Sequence, residues 1–260
     1  MTQSNREDLR HTFGEDPERY DRIRPTYPPE LFTDLAPGPR VLEIGPGTGQ
    51  ATLPLARLGR AVTAVELSPT MAAVAARNLA DHPNAEVVVA AFEDWPLPPE
   101  PFDLVLSATA FHWIDPAVRM RKSADALRPG GALAVISTHH VLGGTTRLFV
   151  DVQRCYERFD PDTPPNLRQQ EASDIPRDTA EFDASGRFTP VTFHDYVWEQ
   201  TYSRDQYLDL LLTYSNHRAL RPDRQAGLLR CIGDMIDSHG GSITKRYLTQ
   251  MAVARTKQAP

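Results

Sequence analysis

The residues whose types and spacing could do chemistry lie in one short run, Val41-Leu42-Glu43-Ile44-Gly45-Pro46-Gly47-Thr48-Gly49. Three glycines at alternate positions let the backbone turn tightly and come close to a ligand. A dinucleotide fingerprint requires G-x-G-x-x-G, but the place of its last glycine is held by Gln50. No Gly-Lys-Ser/Thr run follows, so the loop is not a phosphate-cradling P-loop. Glu43, two residues before the first glycine, suits a cationic group and opposes a pyrophosphate. A second carboxylate, Glu66, closes the apolar run AVTAVE. At the carboxyl end of a strand it can accept two hydrogen bonds from the vicinal hydroxyls of a ribose. The pair asks for a ligand with a ribose, a positive centre and no phosphate bridge.

The elements that must position these groups follow from the pattern around them. RVLEIG (40–45), AVTAVEL (61–67), AEVVVAA (85–91), FDLVLSA (102–108) and GALAVIS (131–137) are short apolar runs. Between them lie stretches with helical spacing, TLPLARLG (52–59) and TMAAVAARNLA (70–80), the latter opened by Ser68-Pro69 as N-cap and first-turn proline. Strands apolar on both faces and separated by helices imply parallel βαβ units. VTFHDYVWEQTYS (191–203) and LTQMAVARTK (248–257) read as a sixth and a seventh strand. The expected fold class is therefore α/β: a doubly wound, seven-stranded, mostly parallel sheet with a helical cap insertion. No linker is biased enough to mark a boundary. One domain over 1–260 is expected, with an N-terminal lid (1–36), a cofactor-binding core (37–138), a cap (139–190) and closing strands and helices (191–260). Many of the 23 prolines fall at the ends of these elements, as in Pro39, Pro46, Pro69, Pro83, Pro96 and Pro129, and act as punctuation.

S-adenosylmethionine meets all three ligand conditions. The E-x-G-x-G-x-G loop, Glu66, AFEDWPLP (91–98), FDLVLSATAFHWID (102–115) and LRPGGALAVIS (127–137) occur in an order that resembles the class I S-adenosylmethionine-dependent methyltransferases of type 11. YDRIRPTYP (20–28) and the Phe-His-Trp block are distantly similar to trans-aconitate methyltransferase-like small-molecule enzymes. The resemblance implies that Gly45, Gly47 and Gly49 line the methionine and ribose, with Glu43 near the amino end. It implies Glu66 on the ribose hydroxyls, Leu67 and Met71 on the adenine, and Phe92 with Glu93 at the adenine edge. Ala110 is implied beside the methionyl group, Trp113 against cofactor or acceptor, Tyr20 near the sulfonium and Arg24 on the cofactor carboxylate. The chain reads Ala90-Ala91-Phe92-Glu93 where many relatives carry Gly-Asp-Ala-Glu, so adenine recognition falls to backbone groups or to Glu93.

Methyl transfer from a sulfonium is an in-line displacement in which positioning dominates, and a base is needed only for a protonated acceptor. His112, just past the fourth strand, is the candidate general base or acceptor-positioning group; the alternative is a histidine that fixes its loop through a backbone carbonyl. His139 and His140 read as polar loop residues, and no third ligand is spaced to make a metal site. Tyr202, Tyr207, Tyr214 and His217 form an aromatic series that lines one wall or fills a core. The insertion 139–190, with Arg147, Tyr156, Arg158 and Arg168, is expected to cap the acceptor pocket; its arginines would suit an anionic acceptor, but read first as solvated charges.

The partners follow from composition. With 28 basic and 34 acidic residues the net charge is -6, which disfavours a broad basic face for nucleic acid. No run is long and apolar enough to span a bilayer, and the N-terminus lacks the apolar segment of a signal peptide. Cys155 and Cys231 are too few for a disulfide framework, which points to a reducing, cytoplasmic setting. The expected activity is transfer of a methyl group to an O, N or C atom of a small-molecule acceptor, with S-adenosylhomocysteine as product. The alternative is a non-methylating protein that binds the same cofactor as a rearrangement catalyst or regulator. Acceptor identity and oligomeric state are not written in these motifs.

Overall fold

The computed structural model describes residues 9, 10, 12–35, 38–160, 162–164 and 167–257. Residues 1–8, 11 and 36, which belong to the expected lid, lie outside them. In chain order the elements are α1 (Pro17–Ile23), α2 (Pro29–Asp34), β1 (Arg40–Ile44), α3 (Thr52–Arg57), β2 (Ala61–Glu66), α4 (Pro69–Asn78), β3 (Ala85–Val89), β4 (Phe102–Ala108), α5 (Pro116–Ala126) and β5 (Leu127–Val141). They continue as α6 (Thr146–Phe159), α7 (Ala180–Ser185), β6 (Thr192–Ser203), α8 (Arg204–Leu211), α9 (Ser215–Arg218), α10 (Pro222–Ser238) and β7 (Ser242–Arg255).

The strands form the expected seven-stranded sheet, in the order β3-β2-β1-β4-β5-β7-β6. β1 is parallel to both β2 and β4, β2 to β3, and β4 to β5. Chain order runs outward from β1 to β3 and then returns to β4 beside β1. The β1/β4 pair is thus the switch point outside which ligands bind in such sheets. Starts and stops follow local chemistry. The Ser68 hydroxyl accepts from the Met71 amide at 3.3 Å, and Pro69 opens α4. Asp115 caps α5 by accepting from the Ala117 amide at 2.9 Å, with Pro116 in the first turn. Ser203 and Gln206 form a reciprocal capping box on α8.

The chain divides into two compact units. One, here the glycine-loop unit, comprises Thr26–Thr138, Pro176–Tyr196 and Thr249–Pro260. Val41, Leu42, Leu104, Val105, Leu106 and Leu133 are buried in its interior, where strands apolar on both faces belong. The other, here the tyrosine-rich unit, comprises Met1–Pro25, His139–Ile175 and Val197–Leu248. Its own core gathers Leu148, Val152, Tyr202, Tyr207, Leu228, Ile232 and Tyr247.

Three expectations change. β5 runs from Leu127 to Val141, beyond the expected 131–137, so His139 and His140 are strand residues rather than loop residues. The last strand begins at Ser242 and not at Leu248. Cys155 of α6 and Cys231 of α10 are joined by a disulfide with Cα atoms 5.8 Å apart, which removes the cysteine argument for a reducing compartment. Spatial proximity across 76 residues decides that pairing, and a count of cysteines does not contain it. Among the described residues no helix is long and apolar enough to cross a membrane.

Candidate functional site

The glycine loop leaves β1 at the switch point with Gly45, Gly47 and Gly49 at φ of 69°, 62° and 96°. These are left-handed conformations that glycine adopts without steric penalty. At Gly45 the absent side chain matters twice, since a Cβ there would meet the Cβ of Ala110 at 2.6 Å. Only a glycine lets the loop after β1 come this close to the end of β4.

The two carboxylates converge on this turn. Glu66 ends β2, and its two oxygens accept from the Gly47 amide at 3.0 Å and the Ser68 amide at 2.9 Å. That fixes the carboxylate while leaving lone pairs for a diol. Burial pushes its pKa up, against the pull of these backbone donors. Glu43 is wholly buried within β1, where Oε2 accepts from the Thr52 hydroxyl at 2.7 Å and Oε1 is buried with no hydrogen-bond partner. Burial raises its pKa to about 7, with the Thr52 hydrogen bond opposing and the nearby Glu66 charge adding to the rise. Among the described residues neither carboxylate meets an arginine or a lysine.

The remaining predicted residues of this unit fall around the same edge. Met71 is buried on the first turn of α4 and Leu67 is half-buried just before it. Phe92 is buried in the turn after β3, with the Lys122 ammonium 5.3 Å from its ring centre. Glu93 has a structural tie, because its Oε1 accepts from the Asp115 amide at 3.1 Å and so joins that turn to the start of α5. Ala110 precedes the short 3-10 turn Phe111–Trp113, where the Trp113 amide returns to the Ala110 carbonyl at 2.9 Å. His112 is exposed, and its ring lies 4.7 Å from that of Trp113. Desolvation by its surroundings, with the Arg119 charge second, lowers the His112 pKa to about 4, so the imidazole is neutral at pH 7. Tyr20 and Arg24 belong to the tyrosine-rich unit, where the Arg24 guanidinium stacks on Tyr20 with its centre 4.9 Å from the ring centre.

Several supporting residues escape sequence reasoning. Thr109 is the one non-glycine residue at positive φ (55°) among those described, directly before Ala110. Strain of this kind concentrates at functional sites. It is held by the Tyr27 hydroxyl, 3.0 Å from the Thr109 hydroxyl, and by the Thr109 amide donating to the Ile136 carbonyl at 2.8 Å. Ser107, buried within β4, donates to the Ile44 carbonyl at 3.0 Å and ties the two switch-point strands. Asn78 of α4 donates to the Thr48 carbonyl at 3.0 Å and steadies the loop. A polar residue inside an otherwise apolar strand was the available signal for Ser107. Thr109 and Asn78 carry none.

Residues 42–135 match the family model described as a methyltransferase domain. An uncharacterised methyltransferase of Mycobacterium bovis is 39% identical over 134 residues, which are 51% of this chain and 54% of that protein. An rRNA adenine N-6-methyltransferase of Saccharopolyspora erythraea is 40% identical over 101 residues, covering 39% of this chain and 25% of that protein. The chain spans about half the length of the first of these relatives. A solved structure of a type II methyltransferase from Anaeromyxobacter dehalogenans superposes with a TM-score of 0.60 at 25% identity, over 90% of this chain and 97% of that one.

Proposed function

Because residues 42–135 match a methyltransferase-domain model, we propose that the chain is a class I S-adenosylmethionine-dependent methyltransferase that moves a methyl group to an O, N or C atom of a small-molecule acceptor. The observation that carries the cofactor assignment is the buried pair Glu43 and Glu66. Two carboxylates at the ends of adjacent parallel strands, one with an unpartnered oxygen, ask for a cation and a diol. An adenosyl sulfonium amino acid offers both, whereas a dinucleotide, which could also place a ribose on Glu66, would bring its pyrophosphate towards the Glu43 carboxylate.

When bound, the cofactor supplies a methyl group activated by positive sulfur. The chain's own residues do the rest. Glu43 Oε1 receives the amino group, and Glu66 receives the ribose hydroxyls with its orientation already set by Gly47 and Ser68. Gly45, Gly47 and Gly49 let the backbone approach the ligand, while Leu67, Met71 and Phe92 provide the apolar bed for the adenine. Ala110 and Trp113 flank the methyl-bearing end. His112, neutral above about pH 4, stands in the form that accepts a proton from an acceptor that arrives protonated. The acidic balance of the chain supports a small molecule over a nucleic acid as acceptor.

Calorimetry of the full chain with S-adenosylmethionine, S-adenosylhomocysteine and NAD tests this reading. Binding of both adenosyl ligands and not of NAD is expected, and failure of both adenosyl ligands to bind overturns it. Formation of S-adenosylhomocysteine across an acceptor panel then decides for methyl transfer. Tight binding without any turnover would instead favour the non-methylating alternative.

A further inference from the structure

Within the tyrosine-rich unit, Lys245 of β7 has only 4% of its surface exposed. A buried ammonium is costly unless a carboxylate and hydrogen bonds compensate it. Among the described residues no carboxylate reaches Lys245. Its ammonium donates to the Tyr214 hydroxyl at 3.2 Å, which occupies one of its three N–H groups. It lies 5.4, 5.8 and 5.0 Å from the ring centres of Tyr214, Tyr207 and Tyr247. A second cation approaches the same tyrosine, with the Arg24 guanidinium 4.6 Å from the Tyr214 ring centre. Arg24 donates to the Thr213 carbonyl at 2.8 Å, and its Nε is buried without an acceptor.

Other cations of this unit are treated differently. Arg19 meets Asp16 and Asp209, Arg218 meets Glu15, and Arg246, the neighbour of Lys245, meets Glu199. His140 adds no further positive charge, since burial and then Lys245 hold it neutral, with its pKa lowered to about 2. Two positive groups therefore converge on Tyr214 with spare donors and no anion.

We propose that Lys245, supported by Arg24 and the Tyr214 hydroxyl, is a recognition site for the oxyanion of a small molecule, a carboxylate or a phosphate group. Charge-assisted hydrogen bonds from an ammonium are the strongest such a group can receive, and the tyrosine rings exclude competing water. The site belongs to the tyrosine-rich unit alone and stands independently of the methyl-transfer reading.

The test titrates the full chain with succinate and with inorganic phosphate at constant ionic strength, followed by calorimetry. Saturable binding of at least one probe is expected, at one per chain, weakened tenfold or more in Lys245→Met and partly restored in Lys245→Arg. Lys245→Gln replaces the Met variant if that chain fails to fold. The variant should melt at or above the wild-type temperature in the absence of probe, because a charge without an anion has been removed. S-adenosylhomocysteine affinity should stay within twofold. Equal binding by wild type and Lys245→Met, or no binding of either probe, overturns the site. A tenfold loss of S-adenosylhomocysteine affinity in Lys245→Met also overturns it, by assigning the lysine to the cofactor. If S-adenosylhomocysteine fails to bind while succinate binds and depends on Lys245, methyl transfer falls and the oxyanion site stands.

Discussion

Among the described residues, Glu43 and Glu66 of the glycine-loop unit are buried at strand ends with no cation beside them, and Lys245 of the tyrosine-rich unit is buried with no carboxylate beside it. Elsewhere the chain pairs its charges in the ordinary way, as Arg119 with Glu181 and Arg177 with Asp195 do at the surface. Stability alone does not favour either arrangement, since removing an uncompensated buried charge ordinarily strengthens a fold. Local rules broken in this way mark places where function outweighs stability. The two units break them with opposite sign, so they suit ligands, or parts of ligands, of opposite charge.

The largest way to separate the units is through the disulfide, which lies in the tyrosine-rich unit alone. Chain-entropy arguments for a bridge across 76 residues give about 4 kcal/mol. Replacing both cysteines by serine should lower the melting temperature by that order of stability, checked by calorimetric scanning, with cofactor affinity preserved. A parallel loss of cofactor affinity would break the division of labour.

Next in size, Glu66→Ala should weaken S-adenosylmethionine binding about a hundredfold, roughly 3 kcal/mol, through the lost ribose acceptor and the freed Gly47 and Ser68 amides. Unchanged affinity in titration calorimetry would remove Glu66 from the ribose.

Glu43 sharpens the comparison through pH. Its folded pKa of about 7 exceeds the ordinary 4.5, so the folded chain keeps a proton that the unfolded chain has released. Its contribution to stability is therefore fully present below about pH 4.5, falls as pH rises towards 7, and stays lost above, by up to about 3 kcal/mol. A cationic ligand reverses the sign by favouring the carboxylate, so cofactor affinity should climb from pH 6 to pH 8. Glu43→Gln should flatten both curves, read by denaturant melts and by calorimetry across that range. The smallest expected effect is His112→Ala, which should lower turnover by about tenfold with cofactor affinity intact if a protonated acceptor is used. Unaltered turnover would eliminate it as a base.

How much of this was legible in advance differs between the units for a physical reason. β4 is expected at 102–108 and is found there, because a strand buried on both faces writes a predominantly apolar run. The start of α4 was equally legible, since Ser68 and Pro69 act on amides within one turn. The glycine loop, Glu43 and Glu66 belong to the same class: a loop's conformational demand and a strand-end acid are local facts. β7 is legible from Leu248 onward but not from Ser242, because Thr244-Lys245-Arg246 is an unbroken polar run that interrupts the strand periodicity, and a lysine there reads as exposed.

The sequence placed Ser242, Thr244 and Arg246 on one polar side of that segment. Only the tertiary structure decided that Lys245 would lie among Tyr207, Tyr214 and Tyr247, or that Arg24 would reach the Tyr214 ring. Likewise Thr52, Thr109 and Tyr27 acquired roles only when distant turns met around the switch point. Backbone demands and strand periodicity act over a few residues and are written locally. Whether a buried charge finds a counter-charge depends on segments far apart in the chain, and that is settled only when they pack.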